Sequence, residues 1–107
     1  MALIEFVYSS IFIKKAKQLK KKHASLVNDL QNLEKDLSLN PKLGTDLGNG
    51  VFKIRLAIKS KGKGKSGGYR VITYHCIENQ INMIYIYDKS EETTISKQDI
   101  IKIIKES

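Results

Sequence analysis

Near its middle this 107-residue chain changes the period of its hydrophobic residues, and that change constrains the fold more than any other feature. From Leu26 the apolar positions Leu26, Leu30, Leu33 and Leu37 recur at spacings of four, three and four, the stripe of an amphipathic helix. From Phe52 the rhythm is two: Phe52, Ile54, Leu56 and Ile58 alternate with Lys53, Arg55, Ala57 and Lys59, a half-exposed strand with a charged outer face. Between them Asn40-Pro41 ends the helix, because the residue before proline avoids the α region. Gly44, Gly48 and Gly50 then read as a loop leading to Val51.

The flanking segments complete the pattern. Leu3–Tyr8 alternates as a short first strand, and Ser9 or Ser10 can cap a helix that places Phe12, Ala16 and Leu19 on one face. Lys14, Lys15, Lys17, Lys20, Lys21 and Lys22 make that helix basic, and the pattern slips at His23–Ser25 before the second helix. Residues 59–68, KSKGKGKSGG, lack any apolar side chain and predict a cationic hairpin loop. Tyr69–Ile77 and Ile81–Tyr87 are β-branched and aromatic runs separated by Glu78, Asn79 and Gln80, a hairpin in the sheet interior. Ser96 with Asp99 three residues on resembles a capping box opening a helix with Ile100, Ile101, Ile103 and Ile104. The expectation is one α+β domain over 1–107. Two N-terminal helices pack on a largely antiparallel sheet of about four strands (β-α-α-β-β-β), with a short C-terminal helix docked on it and the helices on one face.

Charge narrows the function. Nineteen Lys and Arg against eleven Asp and Glu leave a net charge of +8, which points to a polyanionic partner, nucleic acid first. The single cysteine, Cys76, precludes an intrachain disulfide and fits a reducing cytoplasm. It lacks adjacent cations or a helix start to activate it, so a buried, inert thiol is expected. The N-terminus lacks a signal-peptide pattern and no apolar run approaches a membrane span, so a soluble protein without membrane contact is expected.

Two phosphate-binding patterns fail on context. Gly62, Gly64 and Gly67 satisfy G-x-G-x-x-G, but a strand follows where a helix N-terminus is required. Gly64-Lys65-Ser66 ends like a P-loop, yet the first glycine's position is Lys59. What the loop offers is Lys59, Lys61, Lys63 and Lys65, a phosphate tracker rather than a base reader; a merely solvated loop is its plainer alternative. Lys53 and Arg55 on one strand face, with Arg70 opening the next strand, can converge three cations, a costly arrangement unless an anion fills it. Phosphodiester cleavage needs such charge on the non-bridging oxygens, and no acidic cluster for a metal is visible. His75, mid-strand, could act as a base but reads more simply as a hydrogen-bonded structural histidine, and His23 reads as a surface residue without a role. Tyr69, Tyr74, Tyr85 and Tyr87 could stack a base, although core packing accounts for most.

With these residues in hand, NPKLG, then FKIRLA, then KGKGKSGGYRVITY, then IYIYDKSE resembles the RelE/ParE superfamily of toxins, in particular the HigB-like branch of RelE-like toxins with a lengthened basic hairpin. The resemblance spans most of the chain, and its most specific part pairs FKIR with SGGYR after a helical hairpin. It implies a RelE-like fold and the toxin of a type II toxin–antitoxin system. The implied activity is a ribosome-dependent mRNA interferase: an endoribonuclease cleaving messenger RNA in the ribosomal A site without metal or cofactor. Lys53, Arg55 and Arg70 would occupy the catalytic strand positions, and Lys89 stands beside the place where relatives carry a further cation, its neighbour here being Ser90. Lys59, Lys61, Lys63, Lys65 and Tyr69 would contact RNA. A tyrosine that several RelE toxins present near the C-terminal helix has no counterpart; Ile95 or Ser96 stands nearest.

The implied partners are messenger RNA, the ribosome and a cognate antitoxin, by family habit a small helix-turn-helix protein. Two alternatives stay open. A ParE-like member would inhibit DNA gyrase and lack the nuclease cations, whereas Lys53, Arg55 and Arg70 together favour the nuclease. A non-catalytic RNA- or ribosome-binding module would bind with a steep salt dependence and cleave nothing.

Overall fold

The structure, a computed structural model, describes residues 3–62, 64, 67–92 and 94–106. Its elements run β1 (Glu5–Tyr8), α1 (Ser10–Lys22), α2 (Leu26–Leu39), β2 (Thr45–Gly48), β3 (Val51–Leu56), β4 (Tyr69–Ile77), β5 (Gln80–Asp88) and α3 (Lys97–Glu106), with a 3-10 turn at Lys59–Lys61. The helix starts are those the serines predict. The Phe12 amide donates to Ser9 Oγ at 3.0 Å, and the Asp99 amide donates to Ser96 Oγ at 3.1 Å. The polarity slip at 23–25 is the break between α1 and α2, and α2 ends at Asn40 ahead of Pro41.

The strands form one sheet in the order β1-β5-β4-β3-β2, antiparallel except for β1 beside β5. It has five strands rather than about four. Thr45–Gly48, read from its glycines as loop, pairs with β3 through a two-residue turn at Asn49-Gly50. Both turn residues have positive φ, 55° and 82°. Asn-Gly accepts that geometry with little strain, and it matches the twist of the paired strands.

The sheet is covered on both faces, which corrects the expectation of helices on one face. α1 and α2 bury Phe12, Leu19, Leu26, Leu33 and Leu37 against Ile54, Tyr69, Val71, Ile81, Met83 and Ile86. α3 lies on the other face, with Ile100 against Val51, Ile72 and Ile84. The reason lies in β4: Tyr69, Arg70, Val71, Ile72 and Thr73 are all buried, so a central strand apolar on both sides needs cover on both.

The fold also closes one edge. β1 pairs with β5 only from Gln80 to Met83. At Ser9 the chain turns into α1, the Ser9 amide donating to Met83 O at 3.0 Å and Ser9 Oγ to Ile84 O at 2.7 Å. α1 then packs along β5, whose unpaired backbone would otherwise be an open template for another strand.

The hairpin from β3 to β4 closes on Gly68, which is buried with Leu56 O and Ala57 Cα where a Cβ would stand. Gly68→Ala is expected to lower stability by about 1–3 kcal/mol through overpacking. Gly64→Ala meets nothing within 4 Å and should change it by less than about 0.5 kcal/mol. Denaturant midpoints compare the two directly, and equal losses would contradict this close approach.

Candidate functional site

Register brings the predicted cations together. Arg55 of β3 sits directly opposite Arg70 of β4, Arg70 lies opposite Tyr87 of β5, and Lys53 lies opposite Ile72. Val51, which shares the Lys53–Arg55 side of its strand, and Ile72, which shares that of Arg70, belong to the α3 cluster. All three cations therefore project from the face opposite α1 and α2. Like charges directly opposite each other disfavour a strand pair, and an anion bound on this face would offset that.

The three are not equally accessible. Arg55 is exposed and Lys53 half-buried, whereas Arg70 is 5% exposed, with Nη1 donating to Tyr69 O at 3.1 Å. Lys53 Nζ stands 6.0 Å from the centroid of the Tyr87 ring. Tyr87 is fully buried, and its phenol oxygen has no hydrogen-bond partner among the described residues. It forms the floor beside Lys53 and Arg70. Sequence analysis named Tyr87 only as one of four tyrosines able to stack a base, and strict alternation from Ile81 and Met83 would place Tyr85 and Tyr87 on the helix side. The register shift that pairs Ile72 with Tyr85 but Thr73 with Met83 leaves Ile84 as an extra residue and turns both tyrosines to the cation face.

The loop cations separate from this group. Lys59 and Lys61 are exposed, but their 3-10 turn is tied to α2, the Ser60 amide donating to Ser25 Oγ at 2.9 Å. Lys59 lines a depression with Ser25, Asn28 and Lys35, so the structure does not bring it to the Lys53–Arg55 face. Lys63 and Lys65 lie outside the described residues. Lys89 is exposed just after β5, its amide donating to Gly68 O at 3.1 Å. That places its backbone opposite a point two residues ahead of Arg70.

Three expectations need correction. Tyr69 is fully buried on the helix face, its ring edge-on to His23 at 5.5 Å, and so cannot stack RNA there. Burial first, then the nearby Asp29 carboxylate, pushes its phenol pKa up. His23 is 2% exposed, not a surface residue, and its Nε2 lies 2.8 Å from Asp88 Oδ2. Cys76 is exposed rather than buried, because it falls where the β4–β5 register breaks between Tyr74 and Ile77. His75 is a structural residue, its Nδ1 3.1 Å from Gln80 O.

Around Asp88 the chain winds tightly. Oδ1 accepts from the Ser90 amide at 2.9 Å and the Ser90 hydroxyl at 2.8 Å, while the backbone oxygen accepts from the amides of Glu91 and Glu92. Burial by itself would push the carboxyl up, but the Ser90 donors and His23 outweigh it and hold the group below its ordinary value. Among the described residues, His23, Asp88 and Glu91 form the grouping with metal-ligand geometry, and none of them lies among the three cations. Among the described residues no helix is long and apolar enough to cross a membrane.

The domain is thus a mixed sheet with a helical hairpin on one face and strand-borne cations on the other. The fold is similar to that of the E. coli toxin RelE, solved in the free state as a double arginine-to-alanine mutant. The TM-score is 0.59 at 14% identity over 99% of this chain and 98% of that one. The profile of the RelE toxin of the RelE/RelB toxin–antitoxin system matches residues 7–106. The chain belongs to this RelE family: it is the toxin of a toxin–antitoxin pair, and an antitoxin is its implied partner.

Asp88 sets an acid-side expectation. A carboxyl with a lower pKa folded than unfolded stabilises the fold above the unfolded value, about 3.9. That contribution disappears as pH falls through the lowered folded value. Ser90→Ala removes one of the stabilising donors. Between about pH 5 and pH 2 its urea midpoint should therefore fall less than that of the wild type. Parallel declines would show that Asp88 is not so held.

Proposed function

We propose that the chain is an mRNA interferase, a ribosome-dependent endoribonuclease that cuts messenger RNA in the A site and so stops translation. The observation that carries this reading is the convergence of Lys53, Arg55 and Arg70 on one sheet face, with Arg55 and Arg70 in direct cross-strand register. A cluster of cations of this kind, held in place by the sheet, is complementary to a phosphodiester whose charge grows during reaction.

The chemistry that suits it is attack of a ribose 2′-hydroxyl on the adjacent phosphorus. The P–O5′ bond breaks, leaving a 2′,3′-cyclic phosphate and a 5′-hydroxyl. Arg55, planar and exposed, would grip two non-bridging oxygens through paired N–H donors. Lys53 would supply a point charge beside the attacked phosphorus, and Arg70, held against Tyr69 O, a fixed wall of positive potential. Lys89 would neutralise charge from the β5 side. Side-chain cations do this work in the proposed scheme, with no cofactor. Lys61, exposed on the hairpin, would track the RNA backbone, joined by Lys63 and Lys65. The cytoplasm, where ribosomes and antitoxin meet it, is the proposed site of action.

Inducing the wild type in a bacterial host and mapping message 5′ ends by primer extension is expected to show cuts phased to codons. In Arg55→Ala and Arg70→Ala these should fall by about a hundredfold or more, the scale of losing one charge-stabilising donor. Because Arg55 is exposed, its variant separates loss of chemistry from loss of fold. Growth arrest with intact messages would sink the nuclease and favour gyrase inhibition. Salt-sensitive ribosome binding without cuts would favour a non-catalytic module.

A further inference from the structure

The buried His23–Asp88 pair has no part in the scheme above, yet it joins the helical hairpin to the strand end that carries Lys89. His23 is the residue on which α1 ends, and its amide donates to Leu19 O at 2.8 Å. An ionised carboxylate only accepts, so the His23 nitrogen facing Asp88 Oδ2 must carry the hydrogen. Both Asp88 oxygens are thereby engaged, His23 on one and both Ser90 donors on the other.

Two further ties run from the same helix to the same segment: Lys22 pairs with Glu91, and Lys15 pairs with Glu92. Glu92 also accepts from the Tyr85 hydroxyl at 3.0 Å. Asp88, Ser90, Glu91 and Glu92 are thus all fastened through side chains. Lys89 between them is fixed through its backbone, on Gly68 O, and leaves its side chain exposed. Asp88 is the cross-strand partner of Tyr69, the residue before Arg70, and Tyr69 packs edge-on against His23. One imidazole therefore touches the residues that immediately precede two of the site cations.

We propose that the His23–Asp88 pair is a positioning device for the nuclease site, holding the Asp88–Glu92 turn so that Lys89 is presented beside Arg70. This rests on the nuclease reading. His23 does not meet substrate and acts through Lys89. Errors of about an ångström in placing a reacting group can cost on the order of a hundredfold, so a buried hydrogen bond at the base of an exposed lysine has kinetic leverage.

The test is single-turnover cleavage of message on programmed ribosomes by wild type, Lys89→Ala, His23→Phe, the double variant and His23→Gln, with thermal melts alongside. Lys89→Ala and His23→Phe should each slow the maximal rate by about tenfold, with the half-saturating ribosome concentration within about twofold. The double variant should be no slower than Lys89→Ala, since both changes remove the same contribution. His23→Gln, whose amide nitrogen can still donate to Asp88, should stay within about threefold of wild type. Should His23→Phe fail to fold, Ser90→Ala at the exposed end of the network replaces it. It should slow cleavage by about threefold in the wild-type background and not at all in Lys89→Ala. Losses that multiply in the double variant, or a Lys89→Ala or His23→Phe protein as fast as wild type, would overturn the positioning role and leave the nuclease intact. A wild type that cleaves nothing overturns the nuclease reading and this one with it.

Discussion

Everything in this protein depends on the register of β4 between β3 and β5. Tyr69, Val71 and Thr73 point one way and Arg70 and Ile72 the other, and because side chains alternate strictly, a slip of one residue would exchange the two sets. Such a slip would place Arg70 in the helix-packed core and Val71 on the cation face. The buried sides of Tyr69, Val71 and Ile72, with the close approach at Gly68, oppose it. The same packing that stabilises the domain thus sets Arg55 opposite Arg70. Core and site are two faces of a single pairing.

α1 serves a second purpose beyond filling the core. By turning at Ser9 it covers the part of β5 that β1 leaves unpaired; Lys15 and Lys22 reach the segment after that strand, and His23 at the helix end reaches the strand's last residue, Asp88. Placing a flexible post-strand segment costs conformational entropy. Here a rigid helix holds it at several points, so the cost is met when the chain folds. Of these three contacts His23–Asp88 is buried, Lys15–Glu92 is partly buried and Lys22–Glu91 is exposed, and an exposed pair contributes little by itself.

Much of this was legible in the residues themselves. The change from a 3.6 to a two-residue period located both helices, the main strands and the shared direction of Lys53 and Arg55. The serines located the starts of α1 and α3. Asn49-Gly50 carried a hairpin signal that the surrounding glycines obscured, and so β2 was missed. Tyr69 and His23 were misplaced for a different reason: neither a strand's alternation nor a helix terminus says which neighbour will bury it.

The sequence by itself determined the α+β class, the order of every element except β2, the basic character and the cations on β3 and β4, because hydrophobic period and charge are local properties that need no partner to be read. Only the tertiary structure decided that α3 covers the opposite face from the hairpin, and that the extra residue at Ile84 turns Tyr87 toward Lys53. It alone decided that His23 is sealed against Asp88, sixty-five positions away. Those outcomes depend on which surfaces meet when the sheet closes, and a strand's pattern is the same whichever neighbour it finds.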